Sequence, residues 1–126
     1  MSLGGGSNTF VDDTVNLAYD NGKVVVVAAG NYAADSCLFS PARAPKAYTV
    51  AASDIMNKFA VFSNYGTCTD IIAPGVDCEL AKAGTNQYIT LSGTSMATPL
   101  VAGWAAIIEG KKRFNNPQKL IDYMDW

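Results

Sequence analysis

Two short segments hold residues suited to acyl-transfer chemistry. In "SGTSMATPLVAGWAAII", Ser92 to Ile108, Ser95 stands at the head of a long apolar run. If that run is a helix, its free N–H groups and positive dipole end favour negative charge developing beside the Ser95 hydroxyl. Asn31 follows "VVVVAAG", Val24 to Gly30, which places it just past the end of a strand, where ligands gather in open α/β sheets. Each feature also has an ordinary structural reading, since Gly-Thr-Ser before a helix is a common cap and Gly-Asn after a strand a common turn. The two residues alone leave both readings open. A neutral hydroxyl is a poor nucleophile and needs a base, yet the chain contains no histidine. Lys23 and Lys82 are the lysines a Ser-Lys pair would draw on, and neither adjoins the motif.

The elements that must position these groups follow from periodicity. Val24 to Ala29 is an unbroken apolar, β-branched run, the pattern of a parallel strand buried on both faces. The segment before it predicts a crossover helix: Val11, Val15, Ala18 and Tyr19 recur at helical spacing, Asp12 and Asp13 suit the first turn, and Gly22 suits the stop. Met1 to Gly4 then reads as an earlier strand, and Ala47–Ala52 and Asp70–Ala73 as later ones. Cys78–Ala81 and Tyr88–Leu91 flank "KAGTNQ" as a hairpin. The helix after Thr94 carries Ala97, Leu100, Val101, Trp104, Ala105, Ile107 and Ile108 almost all round, so it belongs inside a layered domain. Pro99 falls within its first turns, where a missing N–H is tolerated. A last amphipathic piece follows Pro117, with Leu120, Ile121 and Met124 on one side, and "KKR", Lys111 to Arg113, suits the solvated end of the long helix. No repeat or linker divides the chain, so residues 1–126 are read as one unit.

Composition narrows the function. The chain has 126 residues, 49% of them hydrophobic, and a net charge of −2, with no basic patch for nucleic acid or anionic lipid. Its least charged stretch, Met96 to Ile108, has 13 residues, short of the roughly 20 that span a bilayer. No basic region followed by an apolar one marks a secretory signal at the start. Cys37, Cys68 and Cys78 lack paired ligand spacing and have no histidine to complete a zinc site. One disulfide plus a free thiol, or three buried thiols, both fit.

Taken together, the segments resemble a known family. "SGTSMATP", Ser92 to Pro99, followed by "VAG" at 101–103, is similar to the nucleophile signature of subtilisin-like serine proteases, the subtilases. "AAGN", Ala28 to Asn31, resembles the oxyanion strand end of that family, and "SLGGG", Ser2 to Gly6, its substrate-pairing strand. "FSNYG", Phe62 to Gly66, and "APG", Ala73 to Gly75, fall in the family's order, closest to the proteinase K branch.

The resemblance implies a three-layer α/β fold, a parallel sheet flanked by helices, of which this chain is the carboxy-terminal half. It implies Ser95 as nucleophile and Asn31, with the Ser95 N–H, as oxyanion donors. Ser2, Leu3 and Gly4 would pair with an extended peptide, Ala28, Ala29 and Gly30 would wall the pocket for the residue before the cut, and Thr94 would belong to the same site. The glycines at 4 to 6 also suit a plain turn. No cofactor is required for the chemistry. A structural calcium held by the Pro45 and Ala47 carbonyls and the Asp70 carboxylate is implied for the proteinase K branch, while Asp70 also suits a surface position at a strand start. The family implies a polypeptide substrate and a secreted or extracellular setting.

Two departures stand out. The family's triad runs Asp, His, Ser along the chain, and both earlier members lie upstream of anything seen here. Leu100 occupies the position where most members carry a non-catalytic histidine. By itself the chain is therefore expected to show little peptidase activity and to need the missing amino-terminal half or to self-associate; a non-catalytic remnant that binds peptides is the other expectation. A hydrolase with a nucleophile elbow is excluded, since no Gly-x-Ser-x-Gly occurs.

Overall fold

The computed structural model describes residues 1–125. In chain order the elements are β1 (Gly5–Gly6), α1 (Thr9–Asp20), β2 (Val25–Ala28), a 3-10 turn (Ser36–Leu38), β3 (Phe39–Ser40) and β4 (Ala47–Ser53). After these come β5 (Ile71–Pro74), the hairpin β6 (Cys78–Ala81) and β7 (Tyr88–Leu91), then α2 (Thr94–Lys112) and α3 (Pro117–Met124). The order β2-β4-β5 forms a parallel sheet, as the apolar runs required. β2 and β4 are buried through both faces, whereas β5 leaves Ile72 and Pro74 exposed. Tyr48, Val50 and Ala52 point into the cluster that holds Ala97, Val101, Ala105 and Ile108 of α2. The alternate residues Thr49 and Ala51 are equally buried, and the Thr49 hydroxyl donates to the Ala42 carbonyl at 2.8 Å. Helix α1 packs against β2, β3 and β4.

Local chemistry fixes the ends. The Asn8 side chain caps α1 by accepting from the Val11 N–H, and Gly22 takes φ +83° just beyond it. Asp12 is more than a helix-start charge: it is buried and receives the Arg43 Nε–H at 2.7 Å. Asn116 caps α3 ahead of Pro117. At the close of β5, Gly75 lies so near α2 that an added Cβ would sit 2.7 Å from the Gly93 carbonyl oxygen. The Gly93 N–H in turn donates to the Gly75 carbonyl at 2.7 Å, which ties the end of β5 to the start of α2. Cys37 and Cys68 form a disulfide and Cys78 is free, the first of the two cysteine arrangements.

Three expectations are corrected. Met1 to Gly4 is not a ladder strand: Met1 alone bonds to β2, its N–H to the Val26 carbonyl and its carbonyl from the Ala28 N–H, and pairing resumes in β1, antiparallel to β3. Helix α2 is not buried all round. Leu100 and Ile107 are 54% and 59% exposed, because they lie on the face of α2 turned away from the sheet. Finally, Pro99 is the sixth residue of α2, so its missing N–H removes a real helical bond.

Candidate active site

The two chemistry-bearing segments converge. Ser95 and Asn31 line one cavity of about 300 Å3, together with Leu3, Gly4, Ala28, Ala29, Gly30 and Thr94. The cavity lies past the carboxyl end of β2, at the start of α2. Ser2 stands at its edge, with its hydroxyl donating to the Ser95 carbonyl at 2.8 Å and its carbonyl accepting from the Ser95 hydroxyl at 3.3 Å.

The orientation of Asn31 is set by α2. No side chain of the Gly93-Thr94-Ser95 stretch caps that helix; instead, the Asn31 amide oxygen accepts from the Thr94 N–H at 2.8 Å and the Thr94 hydroxyl at 2.9 Å. With the oxygen committed to two donors, the Nδ2 hydrogens are the groups left over, and they bond to no other described residue. The Ser95 N–H, in the first turn of α2, is likewise without a partner among the described residues. Two donors thus remain free beside the serine hydroxyl, which is what an oxyanion needs. The Thr94 hydroxyl also receives the Gly30 N–H at 3.2 Å, so one buried side chain joins the strand end to the helix start.

The backbone carrying Asn31 is held from below by a residue sequence reasoning did not single out. Asn64, fully buried, accepts from the Tyr32 and Ala34 N–H groups at 2.9 and 3.2 Å and donates to the Ala29 carbonyl at 2.9 Å. Gly30 takes φ +107°, and a Cβ there would stand 2.3 Å from Asn64 Nδ2, so a glycine is required. "FSNYG" was the available signal, but nothing local says which backbone its asparagine serves. Tyr32 and Phe39, whose rings stack at 4.8 Å, were also missed as pocket residues, since only the tertiary fold brings them together.

Pro45, Ala47 and Asp70 are not part of this cavity. Ala47 opens β4 and Asp70 directly precedes β5, so both sit at the amino end of the parallel strands, away from the pocket. The Asp70 carboxylate accepts from the Thr49 N–H at 2.6 Å. Partial burial pushes its pKa up and the nearby Asp125 adds to this, against the opposing pull of the Thr49 donor. Among the described residues no group of three or more His, Cys, Asp or Glu side chains is placed to hold a metal ion.

Known proteins are similar to this chain in sequence and fold. The subtilase family model matches residues 1–123. The subtilisin-like serine protease Pen c 2 of Penicillium citrinum is 52% identical over 107 residues, 84% of this chain and 23% of that protein. The subtilisin-like proteinase Spm1 of Pyricularia oryzae is 52% identical over 107 residues, 84% of this chain and 20% of its own length. A cold-adapted subtilisin-like serine proteinase of known crystal structure superposes with a TM-score of 0.93 at 43% identity, over 97% of this chain and 44% of that one. The chain therefore spans about a fifth to a quarter of these curated relatives and less than half of the solved structure. On fold, signature and sequence alike, this chain belongs to the subtilase family of serine proteases.

Proposed function

We propose that this chain supplies the nucleophile and the oxyanion donors of a serine endopeptidase. The Ser95 oxygen attacks the scissile carbonyl carbon while its proton passes to a base outside this chain. The carbonyl electron pair moves onto oxygen, where the Asn31 Nδ2–H and the Ser95 N–H receive it. Collapse of the tetrahedral intermediate expels the amine, which takes the proton back from that base, and leaves an acyl-enzyme for water to hydrolyse. The observation that carries this reading is the locked Asn31 amide: its oxygen is held by Thr94, its nitrogen is free, and it shares one cavity with Ser95.

Substrate binding follows from the walls. Leu3 makes no backbone hydrogen bond to another described residue, so within the Ser2–Gly4 segment its N–H and carbonyl are open to an extended peptide. Ala28, Ala29 and Gly30 form a small-residue wall opposite it, which favours apolar side chains of varied size in a polypeptide substrate. No cofactor takes part in this acyl transfer.

Catalysis needs the acid and base that the family places earlier in the chain, and this sequence has no histidine. The exposed apolar face of α2, with Leu100, Trp104 and Ile107, is the surface that the amino-terminal half of such a domain would cover; alone, the chain would self-associate through it. The Cys37–Cys68 disulfide supports an oxidising, extracellular setting. Asp70 belongs to no ion pair, since Arg43 with Asp12 is the single one among the described residues. That unpaired carboxylate fits a calcium ion shared with the Pro45 and Ala47 carbonyls, where bound cation charge would neutralise Asp70 and clamp β4 to β5. Added calcium then raises the melting temperature, and Asp70→Asn abolishes the increase.

The second reading, a remnant that binds peptides without cutting them, is favoured by the absent histidine alone. Labelling with a phosphonylating reagent separates the two once the chain is joined to the acid- and base-bearing half of a subtilase. Stoichiometric labelling at Ser95, lost in Ser95→Ala, supports the peptidase. An unlabelled but peptide-binding assembly supports the remnant.

A further inference from the structure

Pro99 sits four residues after Ser95 inside α2. An α-helix joins each N–H to the carbonyl four residues earlier, so the group that would bond the Ser95 carbonyl is the N–H that proline lacks. The helix carries this defect at the very residue whose hydroxyl faces the cavity. In this structure the gap is filled from outside the helix, by the Ser2 hydroxyl at 2.8 Å from the Ser95 carbonyl oxygen. The link is reciprocal, because the Ser95 hydroxyl donates to the Ser2 carbonyl at 3.3 Å. Ser2 in turn adjoins Met1, whose backbone is bonded to β2 on both sides, so the sheet edge and the helix start are joined through one serine pair.

We infer that Ser2 is a positioning residue: its hydroxyl stands in for the helical donor that Pro99 removes and so fixes the Ser95 backbone, and with it the hydroxyl and the N–H, against the substrate-pairing segment. This rests on the peptidase reading of Ser95 and adds a role for a side chain that substrate pairing, which uses backbone groups, leaves unassigned. The pattern also explains why a proline is compatible with a helix interior here. The carbonyl that proline orphans has another donor within reach.

The inference predicts a specific rescue. In the peptidase made whole with its acid- and base-bearing half, Ser2→Ala lowers kcat roughly 3- to 10-fold, the value of one modest hydrogen bond, with KM changed less than about twofold. Ser2→Thr, which keeps the hydroxyl, restores most of the rate. In a Pro99→Ala background, where residue 99 regains its N–H, Ser2→Ala has less than about a twofold effect, since the helix now supplies the donor. An equal loss from Ser2→Ala in both backgrounds overturns the inference, and so does no loss in either. If instead Ser95→Ala leaves peptidase activity intact, it is the peptidase reading that fails.

A readout that needs no activity keeps the two apart. In the 126-residue chain labelled with 13C at the serine carbonyls, the Ser95 carbonyl resonance moves upfield in Ser2→Ala, as a lost hydrogen bond requires, and moves back in the Ser2→Ala, Pro99→Ala double variant. A Ser95 carbonyl resonance indifferent to Ser2→Ala would show that the hydroxyl is not its donor, and the inference would fall.

Discussion

The two faces of α2 are alike in composition and opposite in circumstance. On the inner face Ala97, Val101, Ala105 and Ile108 are buried against β2, β4 and β5. On the outer face Leu100, Trp104 and Ile107 are 54%, 40% and 59% exposed. Helix propensity and hydrophobicity do not distinguish them; only the presence of a covering layer does. The lesson is that this chain buries one side of α2 completely, with its start capped by Asn31, and leaves apolar side chains exposed on the other.

The comparison breaks most visibly at the capped start. In the completed peptidase Asn31→Ala lowers kcat by roughly 10²- to 10³-fold with little change in KM, the range known for one such donor in a subtilisin itself; peptide hydrolysis kinetics measure it. The same substitution strips the cap from α2 and destabilises the chain by about 1 kcal/mol, readable in a denaturant melt.

Within the helix the inner face is next. Val101→Ala removes buried methyl groups facing the sheet and is expected to lower stability by about 2 kcal/mol in urea unfolding. Tyr48, also in the inner cluster, gives a smaller, pH-dependent effect. Burial, then the hydrogen bond to Asp125 at 2.6 Å, raise its pKa well above the ordinary phenol value. The folded state thus holds the phenolic proton more tightly than the unfolded chain. The stability this contributes is full below about pH 10 and is lost as pH rises beyond it. Tyr48→Phe should therefore lower stability by about 1 kcal/mol at neutral pH and flatten the alkaline decline.

The outer face supplies the smallest effect and the sharpest contrast. Leu100→Ala should change the stability of this chain by less than about 0.5 kcal/mol, since it removes little buried area. In a completed domain that covers the face, the same substitution should cost about 2 kcal/mol or more. Equal effects in the two settings would mean that the outer face stays exposed in the whole protein.

Much of this was legible in the residues. The "VVVVAA" run forms a doubly buried parallel strand, the hairpin Cys78–Ala81 with Tyr88–Leu91 has the bounds its turn residues predict, and Pro117 opens α3. What escaped sequence reasoning depends on distant contacts. That Asn31 caps a helix 63 residues away, or that Asn64 fastens the loop carrying Asn31, follows from no local pattern, because the partners are backbone groups that every residue owns. The exposure of Leu100 and Ile107 escaped for a different reason. Hydrophobicity records what a face is suited to bury, while burial in a given chain depends on which layers that chain contains.

Acyl transfer at this site requires Ser95 and Asn31 to grip the same carbonyl. A crystal structure of the completed peptidase with a peptide boronic acid tests this directly, since the tetrahedral boronate imitates the intermediate. Boron is expected to be bonded to Ser95 Oγ, with one boronate oxygen within hydrogen-bond distance of both Asn31 Nδ2 and the Ser95 N–H. A boronate oxygen turned to solvent, with Asn31 Nδ2 engaged elsewhere, would contradict it.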